Sequence, residues 1–344
     1  MAFSDILGHD RQVSVLMRSV VTGQIPPAYL FHGEEGIGKR LTAIQFAKAL
    51  NCTGERETGS SCDSCQACRN IDAGCHPNVS LLALEINPDT GKMRQEIVID
   101  QVHRAQEFLS LKAVGGGRKA LIVDGAHLMK ASPANAFLKT LEEPPDESHV
   151  ILVTSRPGYL LPTIISRCRA VSFQPLNVEL TARLLIERSG ASEHDAYFVA
   201  RMTGGRAGAA LAAEPGDLAE RRSTALGLIS FLEGATYTAL FNKAEETAKK
   251  ESGLEDLVYY GALWFRDILV LLSGGDASLA YNQDKMDELG VWASRMTAGQ
   301  AESALVLLTE TGRSLEKTFN RRLVTEDLFL RLREDALVVP ALHV

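Results

Sequence analysis

The apolar positions of this chain fall into two regimes. Up to about residue 176, short apolar runs alternate with stretches of helical spacing; beyond it only the helical spacing continues. Val13, Leu16, Met17 and Val20 lie three or four apart and predict a helix over 9–22. The run Ala28-Tyr29-Leu30-Phe31 predicts a buried strand over 28–32, followed by a helix from Lys39 to about Leu50. A strand near 79–84, a turn at Asn87-Pro88-Asp89 and a helix over about 99–111 come next. Lys119 to Asp124 reads K-A-L-I-V-D and predicts another buried strand. A helix over about 132–143 must stop at Pro144-Pro145, whose missing N–H groups and rings end it, and Val150 to Thr154 is a further apolar strand. Strands that alternate with helices predict a largely parallel sheet covered on both faces. Breaks near Gly204-Gly205 and Glu214-Pro215-Gly216-Asp217 then divide the helical remainder into a small domain and a larger one. In the larger one Trp264, Phe265, Leu269 and Leu272 fall at helical spacing and are expected in a core or subunit contact.

Bulk properties narrow the class. A chain of 344 residues, 45% apolar and 23% charged, has the composition of a globular protein with room for two or three cores. Its net charge of −7 argues against gripping nucleic acid through an overall field, so any DNA is held through a partner or a local patch. No run of eighteen apolar residues exists, and Met1-Ala2-Phe3-Ser4-Asp5 lacks the layout of a secretory signal; the cytoplasm is the expected location.

Residues Gly33 to Arg40 read G-E-E-G-I-G-K-R and follow the first strand. The pattern G-x-x-x-x-G-K-[ST] closes backbone N–H groups around phosphates, brings lysine to the β/γ oxygens and ligates Mg²⁺ through its hydroxyl. Here Gly33, Gly38 and Lys39 are present, and Arg40 stands where the hydroxyl belongs. Arginine cannot ligate a metal cation. Asp124, ending an apolar strand, either places a carboxylate beside Mg²⁺ or simply closes a buried strand; Gly125 stands where hydrolysing members carry a glutamate.

Cys52, Cys62, Cys65 and Cys68 form C-x9-C-x2-C-x2-C. Close thiol pairs in a cytosolic chain point to metal ligation, and four thiolates close a tetrahedral structural zinc site. An iron–sulfur cluster is the alternative, since C-x2-C-x2-C echoes a ferredoxin run; Cys75 lies too far along for that pattern and Cys52 is the better fourth ligand, which favours zinc. Cys75 and His76 are expected to be bystanders and Cys168 a packing residue. His103 and His127 lack metal-site spacing, Glu142 and Glu143 point about 100° apart on a helix, and Lys249-Lys250 beside Glu245 and Glu246 reads as a mixed-charge surface.

The segments Leu138-Lys139-Thr140-Leu141-Glu142-Glu143-Pro144-Pro145 and Leu161-Pro162-Thr163-Ile164-Ile165-Ser166-Arg167-Cys168 add a further signal. Together with the loop, the cysteine spacing, Phe3-Ser4-Asp5-Ile6-Leu7-Gly8-His9, Ile25-Pro26-Pro27 and Gly117-Arg118-Lys119, they resemble the clamp-loader branch of the AAA+ ATPases. The likeness is dense over 1–176 and thin afterwards, where Gly205-Arg206-Ala207-Gly208-Ala209-Ala210-Leu211 agrees. In that family Ser-Arg-Cys carries an arginine that acts on a neighbouring subunit's ATP, so by position Arg167 is the arginine finger. Thr154 matches the first sensor position, while Gly208 replaces the second-sensor arginine.

The resemblance implies an α/β fold with three parts: a P-loop AAA+ domain over 1–176 with a parallel sheet and a zinc module at about 51–76, a helical lid over 177–217, and an all-α collar over 218–344. A nucleotide site is expected at Gly33, Gly36, Gly38, Lys39, Arg40, Asp124 and Thr154, with ATP possible but hydrolysis doubtful, and structural zinc on the four cysteines. The expected partners are gamma/tau-like and delta-like clamp-loader subunits and, through the complex, a sliding clamp and primed DNA. Two rival readings are an active gamma/tau-like motor ATPase and a zinc-stabilised scaffold that binds no nucleotide.

Overall fold

The structure is a computed structural model that describes residues 3–54, 59–88, 90–250, 252–315 and 320–337. The chain divides into two compact units, one up to Ala212 and one from Ala213 onward.

In the first unit, helix α1 (Asp10–Thr22) ends at Gly23, whose left-handed backbone turns its N–H back to the Val20 carbonyl. Strand β1 (Ala28–His32), helix α2 (Lys39–Asn51), the short helix α3 (Gln66–Asp72), strand β2 (Val79–Leu82) and helix α4 (Ile99–Ser110) follow. Strand β3 (Lys119–Asp124), helix α5 (Ala131–Glu142), strand β4 (Ser148–Thr154), the single turn α6 (Pro162–Ile165) and strand β5 (Arg169–Ser172) complete the α/β part. Helix α5 stops two residues short of Pro144, as proline disfavours helical backbone before it. Between β2 and α4, Ile86 bridges Met93 in antiparallel fashion around the predicted turn, of which Asp89 lies outside the described residues.

Among the described residues the strands form one parallel sheet in the order β2-β3-β4-β1-β5. Alternate residues of each strand face opposite sides, so each apolar run feeds two cores. Tyr29, Phe31, Ile122, Ile151 and Val153 pack with Leu16 and Phe46 from α1 and α2. Leu30, Leu121, Val123, Val150 and Leu152 pack with Val102, Leu109, Phe137 and Leu141 from α4 and α5. Burying each such side chain contributes about 1.5–3 kcal/mol, which is why these strands read as unbroken apolar runs. The predicted strands and helices of this part are all present; β5, α3 and the single turn α6 were not foreseen. Only Val171 of β5 is buried, so this edge strand carries no apolar run to read.

The connection from β1 to β2 passes over two strands, and the chain then returns through β3 and β4 to lie beside β1. Parallel sheets wound this way bind ligands in the crevice beyond the carboxyl ends of their strands. The loop after β1, Asp124 at the end of β3 and Thr154 at the end of β4 all lie at that edge. Helices α7 (Val178–Ser189), α8 (Glu193–Met202) and α9 (Ala207–Ala212) finish the unit. Asn177 and Ser192 cap α7 and α8 by accepting from Leu180 N and Asp195 N.

The second unit is helical throughout its described residues: α10 (Pro215–Gly234), α11 (Tyr237–Lys249), α12 (Gly253–Leu272), α13 (Met286–Arg295), α14 (Ala298–Leu315) and α15 (Arg321–Arg331), with a π-helical turn at Leu332–Leu337. Trp264 and Phe265 lie in its core with Ile268, Leu308 and Phe329, while Leu269 and Leu272 pack partly buried against it. Lys249 and Lys250 pair with Glu245 and Glu246, giving the mixed-charge surface foreseen.

Candidate functional site

The loop from Gly33 to Gly38 joins the buried end of β1 to α2. Its first glycine adopts φ +145°, and a Cβ there would stand 2.3 Å from the Phe173 carbonyl oxygen, so no other residue fits. Gly38 occupies the N-cap position of α2. Beneath the loop, the His9 Nε2–H donates to the Ile37 carbonyl at 2.8 Å and the ring packs edge-on to Phe173. Burial pushes the His9 pKa down, against the opposing pull of the Ile37 bond and Asp10. A neutral imidazole thus ties the N-terminal segment to the loop.

Lys39 donates from Nζ to the Gly33 carbonyl at 2.7 Å and to the Glu34 carbonyl. Burial lowers its pKa, and Glu35, Asp124 and Glu34 pull it back up. Arg40 turns the other way, its Nη1 lying 3.2 Å from Asp124 Oδ2. With the arginine side chain 53% exposed, a pair of this kind contributes about 0–1 kcal/mol and rearranges readily. Thr154 is buried; its hydroxyl meets His127 Nδ1 at 3.1 Å and accepts from Arg156 N at 3.0 Å. At the far side of the loop, Gly208 N donates to the Gly36 carbonyl at 2.6 Å. A Cβ on Gly208 would lie 2.9 Å from that oxygen, so the missing side chain is what lets α9 approach the loop.

These residues surround an open cleft of about 660 Å³. Gly36, Gly38, Lys39, Arg40, Asp124, Thr154 and Gly208 line it, together with His127 and Arg156. Gly33 lies outside the lining, where it fixes the turn. Gly125 is also in the wall and adds no side chain to it.

The cysteine cluster lies away from the cleft. The Sγ atoms of Cys52, Cys62, Cys65 and Cys68 fall within 4.8 Å of one another, and Cys52 and Cys65 are 4.0 Å apart. Tetrahedral zinc with Zn–S bonds of about 2.3 Å requires edges of about 3.8 Å, so the cluster is of the right size to hold a metal ion. Backbone N–H groups of Gly54 and Cys62 point at the Cys52 sulfur, that of Cys65 at Cys62, and that of Cys68 at Cys65. Burial works to raise the Cys65 thiol, but hydrogen bonds from Cys68 and Thr53 outweigh it and bring the pKa down to about 5. Burial pushes Cys52 and Cys68 up, a cost that a dication held between the sulfurs would offset. Cys75 and His76 are outside the cluster, and burial pushes Cys168, packed on the sheet core, up to about 11. Residues 55–58 of the predicted insert lie outside the described residues.

Arg167 follows α6 and is not part of the cleft lining. Its Nη1 donates to the Thr163 carbonyl at 2.8 Å and its Nη2 meets Glu142 Oε1 at 2.5 Å. Both partners are partly exposed, at 35% and 48%. Glu142, which the sequence showed only to point away from Glu143, thus shares the guanidinium with the Thr163 carbonyl. His9 and Lys48 were also missed. Lys48 is fully buried on α2 and pairs with Asp63 and with Asp72, at 2.9 Å to the latter, anchoring the cysteine segment to the sheet domain. Nothing local in the sequence marks these pairings, because the partners are 15 to 28 residues apart.

Residues 8–177 match the model of the family described as DNA polymerase III, delta subunit. The DNA polymerase III subunit delta' of Bacillus subtilis (strain 168) is 31% identical, over 94% of this chain and 96% of its own. The subunit delta' of Escherichia coli (strain K12) is 29% identical over 95% and 96%. The subunit tau of the same organism is 34% identical, over 57% of this chain and 29% of its own. No described helix is long and apolar enough to cross a membrane. Identity at this level, running nearly the whole length of both chains, means that the chain belongs to the DNA polymerase III delta-prime family.

Proposed function

We propose that this chain is the subunit of a DNA polymerase III clamp loader that turns over little or no ATP itself and lends Arg167 to the ATP of a neighbouring subunit. The observation that carries the reading is the state of the cleft: the phosphate loop and Lys39 are intact, while the residue that should ligate Mg²⁺ is an arginine paired with Asp124. Gly125 and Gly208 remove two further groups on which hydrolysis depends. Lys39, the loop glycines and the α2 N-terminus can still hold a triphosphate. Thr154, buried and fixed by His127, can report on the terminal phosphate.

Arg167 follows the single turn α6, bonded to Glu142 and to a backbone carbonyl, partly exposed for a partner to meet. A guanidinium brought to a γ-phosphate stabilises the charge that develops there during transfer, and such groups are worth about 10³–10⁵ in rate. We assign the four cysteines to a structural zinc ion, which closes the insert and supplies no open position for chemistry. Helices α7 to α9 act as a lid, and those from α10 onward join gamma/tau-like and delta-like subunits in a collar; the expected boundary at 217 falls inside α10, so it moves to the break before Ala213. The assembly places a ring-shaped clamp on primed DNA in the cytoplasm. The isolated chain is expected to show Mg²⁺-dependent ATP turnover at background, measured by phosphate release from freshly purified protein. Turnover at the rate of a motor subunit overturns this reading in favour of an active ATPase.

A further inference from the structure

We infer that Arg40 is a built-in replacement for the magnesium ion, so that the cleft takes a nucleoside triphosphate free of metal. The inference rests on the nucleotide reading of the cleft and goes beyond it by naming the ionic form of the ligand. In P-loop proteins the cation that bridges the β and γ phosphates is held between the hydroxyl after the loop lysine and an aspartate at a strand end. Here both of those ligands are accounted for by one ion pair. Arg40 occupies the hydroxyl position in sequence, and its Nη1 lies 3.2 Å from Oδ2 of Asp124, the strand-end carboxylate. The guanidinium thus stands against the carboxylate that would otherwise face a metal, in the wall of the same cleft.

The chemistry of the group supports the exchange. Guanidinium carries five N–H donors in a planar fork that matches phosphate oxygens, and Asp124 engages one of them. Its charge is permanent, and it is more weakly hydrated than an ammonium, so approach to phosphate requires little dehydration. Lys39 is placed separately, on the Gly33 and Glu34 carbonyls, and so is not in competition for Asp124. Glu34 and Glu35 are exposed, so solvent screens their charges; Glu35 lies in the cleft wall, where its carboxylate acts on Lys39 and adds negative charge that a bound triphosphate must tolerate. A magnesium ion, by contrast, would compete with Arg40 for Asp124 and lie beside a permanent positive charge, with no hydroxyl at position 40 to complete its octahedron. The residues present do not fit that ion.

The test is a fluorescence titration of the full chain with N-methylanthraniloyl-ATP, once in excess EDTA and once in excess MgCl₂. Wild-type protein is expected to bind as tightly in EDTA as in magnesium, or more tightly. Arg40→Ser restores the hydroxyl and is expected to make binding at least about tenfold weaker in EDTA than in magnesium. Arg40→Lys keeps a cation and is expected to retain binding in EDTA; because position 40 is half exposed, each variant should keep the wild-type melting temperature. Wild-type binding that is about tenfold tighter with magnesium, and lost in Lys39→Ala, overturns the replacement of the metal while leaving the nucleotide site standing. Absence of saturable binding in both buffers overturns the nucleotide site as well.

Discussion

The Arg167–Glu142 pair lets the proposed arginine finger be separated from an ordinary surface arginine. With side chains 35% and 48% exposed, the pair contributes about 0–1 kcal/mol despite its 2.5 Å contact. At RT of about 0.6 kcal/mol that corresponds to at most about a fivefold restraint on the guanidinium, far less than the 10³–10⁵ that a finger contributes at its own site. Glu142→Gln should therefore raise ATP turnover of the reconstituted loader slightly, by no more than about fivefold. Arg167→Ala should abolish the contribution of the one ATP site beside this chain. Arg167→Lys should rescue it poorly, because an ammonium lacks the planar fork. The assay is steady-state phosphate release by the loader with clamp and primed DNA, paired with size-exclusion chromatography to show that each variant assembles. Unchanged turnover for an assembled Arg167→Ala loader removes the finger assignment. A loss for Glu142→Gln as deep as that for Arg167→Ala would instead make the carboxylate a required positioning group, and the energetic reasoning here would be wrong.

Three further outcomes follow from the geometry. Cys68→Ser should lower bound zinc well below the roughly one equivalent expected of an intact four-thiolate site, by elemental analysis of the purified chain; undiminished zinc would place the metal elsewhere. In the helical unit, Asp267 is fully buried and accepts from Tyr281 N at 3.0 Å, Asn282 N at 2.8 Å and Asn282 Nδ2 at 2.8 Å, with Arg266 Nη1 at 2.9 Å. Asp267→Ala strands those donors and should cost about 3–5 kcal/mol in chemical denaturation, where a loss under about 1 kcal/mol would show the network to be dispensable. His9 and His149 are both buried, and burial pushes both pKa values down. The unfolded chain protonates near pH 6.5 while the folded one resists, so the stability these groups confer is complete above about pH 6.5 and is lost as pH falls below it towards their depressed folded values. The melting temperature of the α/β unit should fall on that side of neutrality, and His149→Gln should flatten the dependence; a melting temperature that rises towards acid would contradict the assignment.

What the sequence disclosed about this fold depended on how locally each feature was encoded. The Ala28–Phe31 and Ala120–Val123 runs announced buried strands because both faces of a covered parallel sheet need apolar residues. Strand β5 offers one buried residue in four and stayed hidden; α3 is a short helix in which the Cys65 sulfur accepts from the Cys68 N–H, a cap that no ordinary N-cap residue signals. The four cysteines were legible because their spacing is itself the geometry. At the cleft, Arg40 was visible as the loss of a hydroxyl, but not its pairing with Asp124 across 84 residues. The contact of Gly208 with Gly36 is of the same kind: the sequence shows an absent side chain, and only the packing shows backbone filling the space. Long-range polar pairs such as Arg167 with Glu142 depend on which elements the topology brings side by side, which periodicity does not record.

The central claim is that a cleft without working hydrolytic groups is kept beside an arginine that serves another subunit's triphosphate. A structure of the assembled loader with a non-hydrolysable ATP analogue measures this most directly, through the distance from the Arg167 guanidinium to the nearest γ-phosphate. The account predicts hydrogen-bonding reach, about 3 Å, to a nucleotide bound by the adjacent chain, with Glu142 released. An Arg167 still paired with Glu142 and remote from every bound triphosphate would contradict it.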